Sequence, residues 1–477
     1  MANTKSNTQK ANSITKMEAT LPYSITFEKL DFKDKPVLPH LQSYASTISK
    51  DGFLVLLGGR WQQGLHQFEG NPHKNFDPSK SNKNIYVIDP TTGNCWCFDT
   101  NHLSPEYYAP IQATNQQAYH DRSTDFMYLV GGYGWKADKS DMRTFNTIIR
   151  FKVEALVTAI KSTASVTTVQ ELFSISNDDR FAITGGELFK MGNIFYLIFG
   201  QIFNGQYSAF GGADFYQVYS EEIRTFTLKP NSLEILNYGA QTSDDDDHPF
   251  HRRDGNTIEA IDPTSGKPRI TALGGVFPPG IIGGYTYPIY IYGTEAPNIN
   301  RDVIQKFSQY ECPVISVYDD TDPTMYHTFF GGISHYYYAQ TEAQKNMYEA
   351  VSKEGRNDGL PFISDITTFL QNSEGQYAEY LHKEPILDHI LLGASSKFMV
   401  DPSLFATGNL YENGVIKLSS FTKNERYLVG YIFGGIGADF PLPKIPNQGT
   451  AATNTLIAVY LTYKPSEVIS ADLGKEA

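Results

Sequence analysis

Cysteine is nearly absent from this sequence: Cys95, Cys97 and Cys312 are the three in a chain of 477 residues. Cys95 and Cys97 stand two apart in an expected strand, so they share one face, and neighbours so placed rarely bridge. A disulfide framework is excluded, and so is a zinc centre, because no second metal-spaced pair exists. All three are read as small packing residues. Charge is also sparse, at 19% of residues, and its balance is acidic, −13 at neutral pH. Phosphate backbones are held by clustered Lys and Arg, so nucleic acid is excluded as a partner. No apolar run approaches the length of a bilayer core, and the N-terminus has no apolar signal-peptide core. The expectation is a soluble protein without a membrane span, cytoplasmic or exported by a route without cleavage. No nucleophile elbow, phosphate-cradling glycine loop or spaced metal-ligand set appears. No catalytic motif is recognised, and neither cofactor nor metal is expected.

Aromatic residues and glycine, by contrast, are abundant: Tyr 31, Phe 30 and Gly 39. Aromatic side chains suit half-buried pleated surfaces, and glycines suit tight turns. Both concentrate in one recurring unit, a short apolar run closed by a glycine pair, clearest in Phe126–Gly134 (FMYLVGGYG). Leu54–Gly59, Phe195–Gln201, Ile270–Gly275, His327–Gly332 and Val429–Gly435 repeat it, which makes six copies. In the third copy the pair has become Gly200-Gln201. Strands closed by double glycines at intervals of roughly 70 residues mark a radially repeated sheet protein, whose units pack on one another as one domain. No helix follows these pairs to receive a pyrophosphate, so a dinucleotide site is excluded.

Along the chain, residues 1–20 are polar and are read as a disordered tail, and 466–477 as a C-terminal tail. Between them, residues 21–465 form a single domain of six four-stranded antiparallel units. Ile25–Phe32 alternates apolar and polar positions but has no unit of its own, while Thr455–Tyr463 has no outer partner. Pairing the two would close the ring and remove an exposed edge. The third unit is read as Gly185–Lys190, Phe195–Gln201 and Tyr216–Leu228, and the last as Val415–Ser420, Tyr427–Gly435 and Thr455–Tyr463. Glu154–Lys161 and Ala339–Arg356 are expected as helical or irregular insertions.

The order strand, turn, LVLLGG, loop and IYVIDPTTGNCW in the first unit resembles a kelch repeat. That resemblance implies a six-bladed β-propeller with the glycine pair closing each second strand and Trp96 packing between blades. Further stretches, HRRDGN (251–256), ALGGVF (272–277), TFFGGISHYYY (328–338) and LVGYIFGGI (428–436), resemble a group of bacterial kelch-like proteins to which no activity is assigned.

In such a propeller, the loops after second strands and before first strands share one face. They gather Arg60, Trp61, Trp135, Gln201, His251, Arg252, Arg253, Asp254, His335 and Tyr336 into an expected ligand-binding rim. Aromatic faces stack on sugars or peptides, and guanidinium groups bond acids and hydroxyls. The competing reading is that these aromatics cover the loops' own small cores. Asp244–Asp247, followed by His248 and His251, is read as a solvated acidic run rather than a cation site. Arg252-Arg253-Asp254 is read as a structural ion pair or an anion-binding cluster. His120-Asp121-Arg122 is set aside as a turn on the opposite face.

The function expected from these residues is binding of a protein or glycan at the rim. A first alternative is an enzyme acting on a sugar or sugar acid, since some six-bladed kelch proteins epimerise sialic acids; Arg252 or Arg253 would hold a carboxylate and His251 or Glu187 would exchange a proton. A second is a secreted or injected bacterial effector with residues 1–20 as its loading signal.

Overall fold

The computed structural model of the chain describes residues 17–61, 76–207, 215–280, 283–334, 336–338, 347–349, 361–386, 390–441 and 449–471. It is an all-β protein in which six sheets succeed one another, five of them antiparallel with four strands and the fifth enlarged to seven. β1 (Met17–Leu21) and β2 (Ser24–Lys29) join sheets completed much later. Sheet one is β3 (Ala45–Ile48), β4 (Leu54–Leu57), β5 (Asn84–Ile88) and β6 (Cys95–Asp99). After α1 (Pro105–Ile111), β7 (Gln117–Asp121) and β8 (Phe126–Val130) open sheet two. A hairpin of β9 (Tyr133–Trp135) and β10 (Met142–Thr144) leaves that sheet, and β11 (Thr147–Lys152) returns to it. Next, α2 (Val153–Lys161) and α3 (Val166–Glu171) lead to its last strand, β12 (Ser174–Asn177).

Sheet three begins with β13 (Glu187–Met191) and β14 (Ile194–Ile198). A hairpin of β15 (Gln201–Gly205) and β16 (Phe215–Tyr219) again intervenes before β17 (Ile223–Leu228) and β18 (Ile235–Gln241). Sheet four is uninterrupted: β19 (Asn256–Ile261), β20 (Pro268–Leu273), β21 (Ile289–Ile291) and β22 (Asn298–Ile299). In sheet five, β23 (Val314–Asp319) and β24 (Thr324–Phe330) precede the separate pair β25 (Tyr336–Tyr338) and β26 (Met347–Glu349). β27 (Ile366–Asn372) and β28 (Tyr377–His382) complete it. Sheet six follows β29 (Leu391–Ala394) and starts at β30 (Lys397–Val400). An insertion carrying α4 (Ser403–Ala406) and β31 (Ile416–Lys417) leads to β32 (Arg426–Phe433). The hairpin β33 (Ile436–Ala438) and β34 (Thr450–Ala452) then precedes β35 (Leu456–Thr462), and β36 (Ser466–Ala471) is last.

The fourth strand of sheet six is β2, antiparallel to β35 from Ser24 against Thr462 to Lys29 against Ile457. The strand without a unit and the strand without an outer partner are therefore each other's partners. The chain ends go further than expected: β1 pairs with β36, and β36 with β28, so both segments read as tails contribute strands to sheet five. Two other expectations change. Tyr216–Leu228 is two strands in different sheets, broken at Ser220–Glu222, where Glu221 takes a left-handed φ of 48°. Val415–Ser420 is not the first strand of sheet six; it contains β31, a two-residue addition parallel to β23, and Lys397–Val400 takes the inner position. The alternation of Val415 and Ile416 reflects burial of an insertion, not of a sheet strand. Ala339–Arg356 falls largely outside the described residues, with β26 as its described part.

The core is a succession of interfaces between neighbouring sheets. Val55 and Val87 of sheet one meet Leu129 and Phe151 of sheet two. Val130 and Ile148 meet Leu197 and Phe226 of sheet three. Tyr196 and Ile198 meet Ile270 and Ile289 of sheet four. Leu273 meets Phe329 and Phe369 of sheet five, and Val317 and Phe330 meet Ile432 and Val459 of sheet six. Tyr431 and Phe433 of sheet six meet Ile48 and Leu56 of sheet one. Trp96 lies with the aromatic and aliphatic groups between sheets one and two.

The glycine pairs weld these interfaces. The second glycine's N–H donates to a carbonyl just ahead of the following sheet: Gly59 to Ala113 (3.0 Å), Gly132 to Ile183 (2.7 Å), Gly200 to Arg252 (2.9 Å), Gly332 to Leu392 (3.0 Å) and Gly435 to Leu41 (2.8 Å). The third copy is thus Phe199-Gly200, not Gly200-Gln201; Phe199 holds the first position at φ 56°. A Cβ on Gly131 would sit 2.0 Å from the Ile183 carbonyl oxygen, whereas one on the turn residue Gly52 would meet nothing within 4 Å. Both have positive φ, so the strain term is shared. In urea denaturation Gly52→Ala is expected to cost about 1 kcal/mol and Gly131→Ala about 3 kcal/mol or more.

Candidate functional site

The expected rim is built differently from its sequence reading. β9, β10, β15 and β16 form an accessory four-stranded sheet, and their aromatics pack on each other: Tyr133, Met142, Phe203 and Phe76 are one buried cluster. Trp135 donates from Nε1 to the Phe76 carbonyl at 2.9 Å. The buried guanidinium of Arg60 lies 3.7 Å from the Phe76 ring centroid, and burial pulls its pKa down to about 9. Gln201 is buried and accepts from Gln217 Nε2 at 2.6 Å. Trp61 remains 44% exposed, with Lys80 Nζ 3.9 Å above its ring. His251 bonds Glu221 through Nδ1 at 2.6 Å and stacks on Tyr219 at 3.6 Å.

Arg252 is held on all sides by protein partners. Its Nε donates to Pro249 O at 2.9 Å, one terminal nitrogen to Gly274 O at 2.9 Å and the other to Tyr287 O at 3.0 Å. Tyr285 and Tyr287 flank the guanidinium at 4.4 and 4.9 Å, and the residue is 1% exposed. The acidic run is likewise engaged: Asp245 and Asp247 each bond Arg301 at 2.7 Å, and among the described residues no metal-competent cluster exists. His335 lies outside the described residues, and Tyr336 begins β25.

Arg253 and Asp254 instead belong to a ring. One residue shortly before each sheet's first strand adopts a left-handed backbone: Ser43 (φ 55°), Asn115 (48°), Gly185 (67°), Asp254 (51°), Glu311 (47°) and Ser395 (56°). Their peptide groups are linked in sequence. Asn115 N donates to Ser43 O at 3.0 Å, Gly185 N to Asn115 O at 3.3 Å, Asp254 N to Gly185 O at 3.0 Å and Ser395 N to Glu311 O at 2.7 Å. Ser395 Oγ also donates to Glu311 Oε1 at 2.8 Å, and Arg253 Nε is 3.6 Å from Asp254 Oδ2. Burial raises the Asp254 and Glu311 carboxyls above the ordinary carboxylate range, while Lys397 opposes the shift in both.

Past the ring the first strands enclose a cavity of about 1380 Å³, to which all six sheets contribute: Thr47, Tyr119, Glu187, Glu259, Ser316 and Phe398 are examples. Consecutive residues of each first strand line it, as in Ser46–Ile48, Thr257–Glu259 and Phe398–Val400. The sixth sheet's insertion adds Phe405 and Glu412–Ile416 to the wall, anchored by Asn413 Nδ2 on Ala260 O at 3.1 Å. Asp121 pairs with Lys190, and Arg122 lies 4.8 Å from the Phe405 ring centroid. His120, held by Thr47 Oγ1 at 2.7 Å, is kept neutral by burial, its pKa down at about 3. Burial pushes Glu259 up to about 8, Arg122 acting in the opposite direction, and Glu187 up to about 7, with Lys397 opposing. Neither carboxyl has a hydrogen-bond partner among the described residues.

The segment His120-Asp121-Arg122, set aside in the sequence, therefore faces this cavity. Its signal was present: it ends the first strand of a sheet, where side chains must line the common centre. The ring also had a signal, a Ser, Asn, Gly or Asp placed two residues before five of the six first strands. The chain matches no protein-family model, and no curated protein matches it.

Two stability tests separate wall from scaffold. Arg252→Ala strands three carbonyls and is expected to lower the melting temperature, so any loss of binding in that variant reports unfolding. Glu259 binds its proton more tightly folded, at about 8, than at the ordinary 4.5, so stability falls as pH rises between those values. Glu259→Gln should match the wild type below pH 4.5 and exceed it by about 2 kcal/mol above pH 8, water in the cavity moderating the gain. Equal pH profiles of melting temperature would overturn the burial of this carboxyl.

Proposed function

We propose that the six sheets are the blades of a kelch-type β-propeller closed through β2, and that the protein is a binding module for a small glycan. The ligand enters the axial cavity from the side of the turns between first and second strands. The observation that carries this reading is the cavity itself, about 1380 Å³ in volume and walled by a first strand from every sheet. Its size exceeds that of an ordinary small-molecule pocket, typically about 300–1,000 Å³, and suits a ligand of more than one sugar ring. The wall mixes hydrogen-bonding groups such as Ser46, Thr47, Tyr119, Thr257 and Ser316 with apolar faces such as Phe189 and Phe398, the combination that hydroxylated rings require.

The rim supports the reading less well, because Trp135, Arg60 and Arg252 already have protein partners. The test is a glycan panel read by calorimetry. Phe398→Ala together with Phe189→Ala, which removes the apolar faces of the wall, should abolish binding while the melting temperature shows that the variant folds, and Trp61→Ala should bind as the wild type does. The opposite pattern would return the ligand to the rim.

A further inference from the structure

The cavity wall is more selective in charge than in shape. Six carboxyl side chains line it, Asp121, Asp125, Glu154, Glu187, Glu259 and Glu412, against four cations, Lys50, Arg122, Lys190 and Lys267. One of those cations, Lys190, is bound to Asp121. Arg122 is spread over the Phe405 ring, with Ile48 O at 3.5 Å from one terminal nitrogen. The formal balance of the enclosed space is negative, like that of the chain as a whole at −13. Low-dielectric walls focus such an imbalance on a ligand that enters.

Two of the carboxyls differ from the rest. Asp121 is satisfied by Lys190 and Ser123, and Glu154 accepts from the Lys50 backbone at 2.6 Å. Glu187 and Glu259 are half-buried, face the cavity and have no hydrogen bond from any described residue. The charged and titratable groups felt by Glu259 are Arg122 and Tyr119; those felt by Glu187 are Lys397, Asp254 and Glu311. A carboxyl on a cavity wall that lacks a protein donor keeps its acceptor sites open to a ligand that brings one. Glu187 stands two residues past Gly185, and Glu259 five past Asp254, on the first strands of neighbouring sheets three and four. Three residues of extended strand place Glu259 about 10 Å further along the axis.

We infer that the ligand of this cavity is a cation with two ammonium groups, one held by Glu259 and the other by Glu187. An ammonium carries three donors and no acceptor, so it fits a carboxylate that lacks donors. The inference rests on the axial cavity being the binding site and adds the chemistry of what enters. An amino sugar with two free amines and an aliphatic diamine share that chemistry. Binding must ionise both carboxyls, so affinity rises with pH through the neutral range and protons are released on binding.

The experiment is titration calorimetry of the full chain with four probes: the glucosamine dimer, its N-acetylated counterpart, putrescine and cadaverine. The glucosamine dimer or a diamine should bind. Glu259→Gln and Glu187→Gln should each weaken that binding roughly tenfold or more, the loss of one charged hydrogen bond. Glu234→Gln, at an exposed turn outside the cavity, should change it little. Both wall variants keep their volume, and their melting temperatures show whether they fold. Equal affinity for the free and N-acetylated dimers, undisturbed by either variant, would overturn the ammonium assignment and leave the glycan reading standing. Binding of diamines without any sugar would sustain the ammonium assignment and overturn the glycan. No binding by any of the four would overturn both.

Discussion

A backbone bond between neighbouring sheets, from the N–H of a glycine that ends one second strand to a carbonyl ahead of the next sheet, recurs five times at 2.7 to 3.0 Å. It requires two things at once. The donating residue must turn its amide outward, which takes a left-handed backbone, and the residue before it must leave room for the incoming oxygen. Gly131 and Gly331 show the second demand most sharply, since a Cβ on either would lie 2.0 Å from the carbonyl oxygen. A glycine pair meets both conditions at low steric cost. In the remaining interface the equivalent carbonyl, that of Gln309, accepts from Asn256 Nδ2 at 2.6 Å instead. One polar bond per interface, shielded by apolar faces such as Val130 and Ile148 against Leu197, therefore sets the angle and spacing of successive sheets.

The left-handed ring follows from that bond. The carbonyl that receives it stands two residues before Ser43, Asn115, Gly185 and Asp254 and three before Ser395, so each weld fixes the approach to the next first strand. With the approach fixed, each first strand starts at a constant depth, and consecutive residues along it line the cavity. The cavity is thus a consequence of how the sheets are joined. Distance from the ring sets depth, and this is why Glu187 and Glu259 lie at different depths.

Much of this architecture was legible in the sequence, because strand alternation and glycine geometry are local. The partnership of Ile25–Phe32 with Thr455–Tyr463 was readable too, since two strands lacking neighbours have each other. What failed was non-local. Phe199 was missed as the first member of a pair because a left-handed Phe is disfavoured locally and tolerated here through its packing on Phe250 at 5.4 Å. Lys397–Val400 was passed over because a long insertion separates it from its partner β32, and the buried Val415 imitated a strand. How the rim aromatics pack was not legible for a related reason. Sequence shows that Trp135, Tyr133 and Phe203 sit in loops, but not that those loops form a sheet of their own and bury one another.

The distribution of polar groups then separates structure from site. Arg252 is as buried as any side chain in the protein, yet each of its nitrogens has a carbonyl, and its two tyrosines complete the enclosure. Such a group is finished and leaves no bond for a ligand. Glu259 and Glu187 are only half-buried, on the cavity wall, and have no such partners among the described residues. Six interlocked apolar interfaces give the fold enough stability to retain two carboxyls that folding alone disfavours. A Gln of the same size at either position would relieve the charge without disturbing a contact. The ring and the glycine welds explain where these side chains stand, but packing does not explain why they are acids. Their chemistry is directed at the enclosed space, and it is there, rather than among the loop aromatics, that the physical argument for function converges.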